Sequence, residues 1–215
     1  MPRTLTYGTE SAANKAIGGV PTIHYVDFKF RGRGQVFRLF PIVRVSNQIL
    51  CRGKPTEVKD AGAAYEDIRY NFEKLPEHKR AFAEMNPTRG ISIIEMPKGK
   101  ILTQSYAILR HWARKMGGYD GKTEDEKYWV DAITDIVIDC PSPIPIRGSE
   151  LSRRGPFVAG HEITYADLFQ LFHDENLIQD GRRGLQEYPR LVQLVDAVQN
   201  RPDIKKFFNS DAYLG

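Results

Sequence analysis

One polar turn in this chain stands where a strand-like run gives way to a helical one. Arg31-Gly32-Arg33-Gly34 follows the alternating stretch 23–30, in which Ile23, Tyr25 and Asp27 share one face and His24, Val26 and Phe28 the other. A helix beginning near residues 33–35 would present unpaired amides and the positive end of its dipole, which suits a small anion. The competing chemistry is a grip on a nucleic-acid backbone. A single Arg-Gly copy, with no separate basic tract and no aromatic platforms, does not make such a surface.

Other chemistry-bearing residues are dispersed. The histidines at 24, 78, 111, 161 and 173 lack the paired spacing of a zinc helix, and Cys51 and Cys140 stand alone, so no metal site is expected. Gly32 and Gly34 supply neither a dinucleotide nor a P-loop signature. Asp135 and Asp139 share a helix face as paired catalytic acids would, but read as acidic helix surface. Taken alone, Ser105 reads as a helix cap.

The elements that must position these groups fall into two halves. A strand over 65–69, a hairpin of 91–95 and 100–103 around Pro97-Lys98-Gly99, and a helix carrying Ile108, Leu109, Trp112 and Met116 to a stop at Gly117-Gly118 complete an α/β half. Beyond Gly121 the signals are helical. Trp129, Ala132, Ile133, Ile136, Val137 and Cys140 form one apolar stripe on an acidic helix, Thr164 with Asp167 marks a helix start, and Pro189 and Pro202 open two more. Residues 1–21 show no period and read as a mobile or loosely docked extension. The domains are therefore 22–116 and 122–215.

Composition narrows the partners. A net charge of +4 from 31 basic and 27 acidic residues is mild, and the acids crowded into 120–140 would repel a polyanion. No secretory leader and no run long enough to span a membrane are visible, and the two isolated cysteines suit a reducing compartment. A soluble, cytoplasmic protein without nucleic-acid or membrane partners is the expectation.

The pieces FKFRGRG, DAGAAYEDIRYNFEKLPEHK, ILTQSYAILRHWARKMGGYDGKT, Val130-Asp131, FVAGHEITYADL and YPRLVQLVDAVQNRPDIKKFF occur in an order that resembles the cytosolic glutathione transferases of the sigma, mu or pi-like group. The resemblance covers roughly two thirds of the chain. It implies a thioredoxin-like domain followed by a helical domain, glutathione as co-substrate, a small hydrophobic electrophile as second substrate, and a homodimer. It also implies that Gln104 and Ser105 hold the γ-glutamyl end of glutathione, that Lys79 reaches its glycine carboxylate, that Ile91 and Ser92 pair with its cysteinyl backbone, and that Asp131 reaches its amine. Arg33 would shape the thiol site.

Four departures accompany it. Asp27 stands where the family has the tyrosine that stabilises the thiolate, and a second anion there would raise the thiol pKa. Tyr25 shares its face but lies about 7 Å back along the strand. A proton shuttle on Asp27 would need burial to keep it protonated. Leu75 replaces a tryptophan and cannot donate a hydrogen bond. Ser92 replaces a cis-proline, and a non-proline cis bond costs about 2.5–4 kcal/mol, so trans is expected. Finally, 41–58 reads as an insertion, while 139–157 is shorter than in relatives and truncates the helical domain, which implies an unusual dimer interface. The resulting expectation is a glutathione transferase. The alternatives are a glutathione-dependent isomerase and a non-catalytic binding or scaffold protein of the same fold.

Overall fold

The computed structural model describes residues 2–27, 34–42, 62–139, 154–168, 188–210 and 213. A five-stranded sheet runs in the order β1-β3-β2-β4-β5, from β1 (Arg3–Tyr7), β2 (Thr22–Asp27), β3 (Tyr65–Asn71), β4 (Ile93–Met96) and β5 (Lys100–Thr103). β2 and β3 are parallel and the other pairings antiparallel. Between the strands lie α1 (Ala12–Ile17), α2 (Gly34–Leu39) and α3 (Leu75–Met85). After β5 come α4 (Ser105–Met116), α5 (Glu124–Asp139), α6 (Pro189–Gln199) and α7 (Pro202–Phe208). A mixed sheet followed by an all-helical half is the thioredoxin-like plus helical architecture expected from the sequence. Gly117, at φ 73°, ends α4 by returning its amide to Ala113 and Arg114.

The loose arm expected over 1–21 is instead part of the sheet. β1 pairs antiparallel with the outer edge of β3, and α1 opens on a reciprocal cap between Ser11 and Asn14. Asn14 is fully buried, and its carboxamide exchanges two 2.8 Å hydrogen bonds with the backbone of Ala64. The capping signal is short and carries Asn rather than Glu or Gln, and β1 buries too little surface to show a period; both elements are secured by β3 and Ala64, which lie far away in sequence. The neck of the segment 43–61 is equally definite, since Ala63 N–H donates to Pro41 O at 2.7 Å.

Alternation divides the strands between two faces. Ile23, Tyr25, Tyr65 and Ile94 point toward α1, α2 and α4 and join one continuous core that extends into Val130, Leu191, Leu194 and Phe207 of the helical half. Val26, Phe82 and Ile93 are equally buried but lie under α3, outside that core. The α5 stripe is rotated from its expected line. Among the described side chains of α5, Val130, Thr134 and Val137 are buried, whereas Ile136 is 43% exposed. Thr134 can occupy the interior because its hydroxyl donates to Val130 O at 2.6 Å. Cys140, the end of the expected stripe, and the proline-rich stretch after it lie outside the described residues.

Candidate functional site

The sheet register gathers most of the predicted residues at one end. β2 and β3 run parallel to Asp27 and Asn71, β4 starts there because His24 faces Ile93, and β5 returns there because Thr103 also faces Ile93. Asp27, the start of α3, Ile91-Ser92 and the head of α4 therefore adjoin. Beyond β5 the chain turns sharply through Gln104, whose φ of 71° and ψ of 106° lie outside the regions comfortable for a residue with a Cβ. Such strain persists only where surrounding structure enforces it, commonly at functional sites. Gln104 is exposed and does not cap α4 with its side chain, so its amide group is available at the helix head.

Ser105, the first residue of α4, is buried, and its hydroxyl reaches the Ser92 hydroxyl at 3.4 Å. Two hydroxyls and a strained glutamine thus meet over the uncapped amides of a twelve-residue helix, an arrangement able to receive a carboxylate. The peptide between Ile91 and Ser92 is trans, as are all those described. Leu75 opens α3 half-buried, and Lys79 lies one turn later in the same helix.

The thiol side is arranged differently. Asp27 is exposed at the end of β2 rather than buried. Tyr25 is enclosed beneath α2. A Cβ at Gly34 would fall 2.5 Å from its ring, and the Arg38 guanidinium lies 5.8 Å from the ring centre. Arg33 lies outside the described residues. Asp131 is engaged on α5, where Arg110 Nε donates to it at 2.7 Å and the Tyr165 hydroxyl donates to the same oxygen. Burial first, then the bond to Asp131, pushes the Tyr165 hydroxyl above its ordinary range.

Several polar groups escaped the sequence reading. Asp67, 1% exposed, accepts from Arg38 Nε at 2.7 Å and Nη2 at 3.1 Å and from Arg69 Nε at 2.8 Å, which ties α2 to β3 inside the core. The available signal was alternation, since Asp67 and Arg69 share the inward face with Tyr65. Asp167, already read with Thr164 as a helix start, is fully buried and accepts from the amides of Val158 and Thr164, each at 2.7 Å, and from the Thr164 hydroxyl at 2.8 Å. That confirms the helix start read at Thr164. At the far end of α4, a cleft of about 580 Å³ is lined by Arg114, Lys122, Arg154 and Glu162 among others. Lys122 pairs there with Glu162, and Arg114 with Asp120. Among the described residues no three His, Cys, Asp or Glu side chains gather as a metal would require, and no helix is long and apolar enough to cross a membrane.

Comparison with known proteins decides the family. Residues 55–114 match the model of the glutathione S-transferase N-terminal domain, and residues 149–211 match that of its C-terminal domain. The chain belongs to the glutathione S-transferase superfamily. It is 26% identical over 185 residues to "Probable glutathione S-transferase 6" of Caenorhabditis elegans, spanning 66% of this chain and 87% of that relative. A solved structure of a "major nematode C.elegans specific GST" superposes with a TM-score of 0.67 at 24% identity, over 89% of this chain and 97% of that one. Prostaglandin synthase D of Nilaparvata lugens gives 0.66 at 20% identity, over 89% and 98%. In this superfamily member, the N-terminal match begins within the segment read as an insertion.

Proposed function

We propose that this protein binds glutathione at the sheet end headed by Gln104 and Ser105 and transfers its thiol to a small hydrophobic electrophile. The observation that carries this reading is the strained Gln104 turn beside the paired hydroxyls of Ser105 and Ser92, in a chain of this superfamily. Ser105 and the first amides of α4 take the γ-glutamyl carboxylate, Gln104 adds a side-chain contact, and Lys79 attracts the glycine carboxylate. Ile91 and Ser92 line the peptide, and Leu75 packs against it. Asp131, half-exposed and already neutralised by Arg110, completes the amine end only by sharing its second oxygen. Arg33 and the head of α2 favour the thiolate. A cytoplasmic homodimer of sigma, mu or pi-like type is the finer form of the same reading.

A second reading rests on Asp27. An exposed carboxylate where a hydroxyl donor is needed, with Tyr25 enclosed two residues away, favours a protein that holds glutathione without activating it, or an isomerase that uses the tripeptide only transiently. Calorimetry with glutathione tests the shared half. The wild type binds, and Ser105→Ala weakens binding by about tenfold or more, the loss of one hydrogen bond to a charged group. A folded wild type that takes up no glutathione overturns both readings. Turnover of a model aryl halide above the uncatalysed rate, lost in Ser105→Ala, then favours the transferase, whereas binding without turnover favours the second reading.

A further inference from the structure

Beneath α3, on the face of the sheet away from the main core, lies a chain of three titratable side chains from three strands. His24 of β2 is buried, with Nδ1 2.9 Å from the Tyr70 hydroxyl of β3 and Nε2 3.4 Å from Glu95 Oε2 of β4. The second distance allows charge attraction without a well-formed hydrogen bond. Tyr70 in turn is the platform for the helix. Its ring meets His78 of α3 edge-on at 4.9 Å and Phe82 edge-on at 4.8 Å. Among the described residues the buried apolar seat beside this platform is thin, comprising Val26 and Ile93 of the sheet and Phe82 of α3 itself.

We propose that His24 is a proton-operated latch for α3: neutral, it holds Tyr70 as the helix platform, and protonated, it releases the helix. A neutral ring with its proton on Nε2 accepts the Tyr70 hydroxyl at Nδ1, which pairs those two groups and leaves Nε2 buried beside Glu95 without a hydrogen-bond partner. Protonation puts a hydrogen on Nδ1. Tyr70 must then accept rather than donate, its own proton turns away from His24, and the charge sits on a buried ring. Glu95 compensates only in part, being 45% exposed on its side chain. Lifting α3 hydrates the imidazolium, and a helix on a thin seat is the element that opens at least cost. Burial depresses the His24 pKa below its ordinary value, with Glu95 opposing that shift, so the neutral, latched state holds at neutral pH. The groups facing the latch are Tyr70 from β3, Glu95 from β4 and, across the Tyr70 ring, His78 from α3.

Because α3 carries Leu75 and Lys79, its release lowers glutathione retention. That consequence rests on the reading above, whereas the latch does not. Hydrogen exchange of the full chain between pH 7.5 and 5.5, corrected for intrinsic rates, compares α3 peptides with β2–β4 peptides. The expected result is a loss of α3 protection of at least severalfold at pH 5.5 while the strands stay protected. His24→Gln abolishes that pH dependence, Glu95→Gln moves its midpoint to lower pH, and His78→Gln retains it. Unchanged wild-type protection, or a loss that persists in His24→Gln or disappears in His78→Gln, overturns the latch. Glutathione calorimetry at both pH values separates the two ideas. Weaker binding at pH 5.5 in the wild type but not in His24→Gln supports both, whereas α3 release without any glutathione binding upholds the latch and removes the glutathione reading.

Discussion

The two faces of the sheet hide polar groups at different depths. On the α1, α2 and α4 face, Asp67 and its two arginines are enclosed by a core that continues into the helical domain, each of the three 7% exposed or less. On the α3 face, His24 is buried, but its partners Tyr70 and Glu95 retain contact with solvent. A charge sealed on all sides must stay paired, so it holds one geometry. A titratable group under a thin cover exchanges its partner for water when its charge changes, so it can act as a control. The candidate site draws on both faces, with Gln104 and Ser105 on the firmly packed α4 and Leu75 and Lys79 on the lightly seated α3.

The sharpest contrast should come from removing one carboxylate on each side. Asp67→Ala strands two buried guanidinium groups and is expected to cost about 3–5 kcal/mol, read as a lower urea midpoint. Glu95→Ala at pH 7.5 is expected to cost less than about 1 kcal/mol, because its partner is uncharged and half of the pair faces water. Equal losses would erase the difference between the faces. A smaller effect tests the wedge under α2. Gly34→Ala drives a methyl into the Tyr25 ring and should cost about 1–3 kcal/mol, with part regained when Tyr25 is also shortened to Leu. Simple additivity of the two changes would show that the ring and Gly34 are not in register.

Acid should act on the α3 face. His24 has a folded pKa below its unfolded value near 6.5, so the stability it contributes is complete above that value and is lost as pH falls through the folded pKa. Stability followed from pH 7.5 to 5.5 should therefore fall more steeply in wild type than in His24→Gln. Asp167 works in the opposite sense. Burial raises it from 3.8 to about 6, so its contribution is complete below 3.8 and is lost as pH rises through about 6. The comparison of variant with wild type removes that background. The smallest effect belongs to neither face: Lys122→Ala breaks an ion pair in open solvent and should leave the melting temperature unchanged.

Much of this architecture was legible along the chain because its signals are local. The Pro97-Lys98-Gly99 hairpin, the Gly117 stop, the Thr164 start and the first-turn prolines at 189 and 202 each depend on a few neighbouring residues, and all are present. The Gln104-Ser105 turn was legible only as a cap until longer resemblance pointed to a ligand. β1 and α1 were not legible, because their partners lie some fifty or more residues away in β3 and at Ala64. The α5 stripe was misplaced because apolar residues surround much of that helix, and its neighbours choose which side to bury.

By itself, the sequence determined the two-part order of strands and helices, the family, and the residue types available at the candidate site, since these rest on short-range periodicity, caps and motif order. Tertiary structure decided which of those residues meet. Only the register of β2, β4 and β5 brings the Ser92 hydroxyl to Ser105. Only enclosure between α2 and the sheet turns Tyr25 into a wedge, and only the pairing of β2 with β3 and β4 makes a histidine, a tyrosine and a glutamate from three strands into one chain. Contact and burial belong to the folded surface rather than to the order of residues, and they set the chemistry of each of these groups.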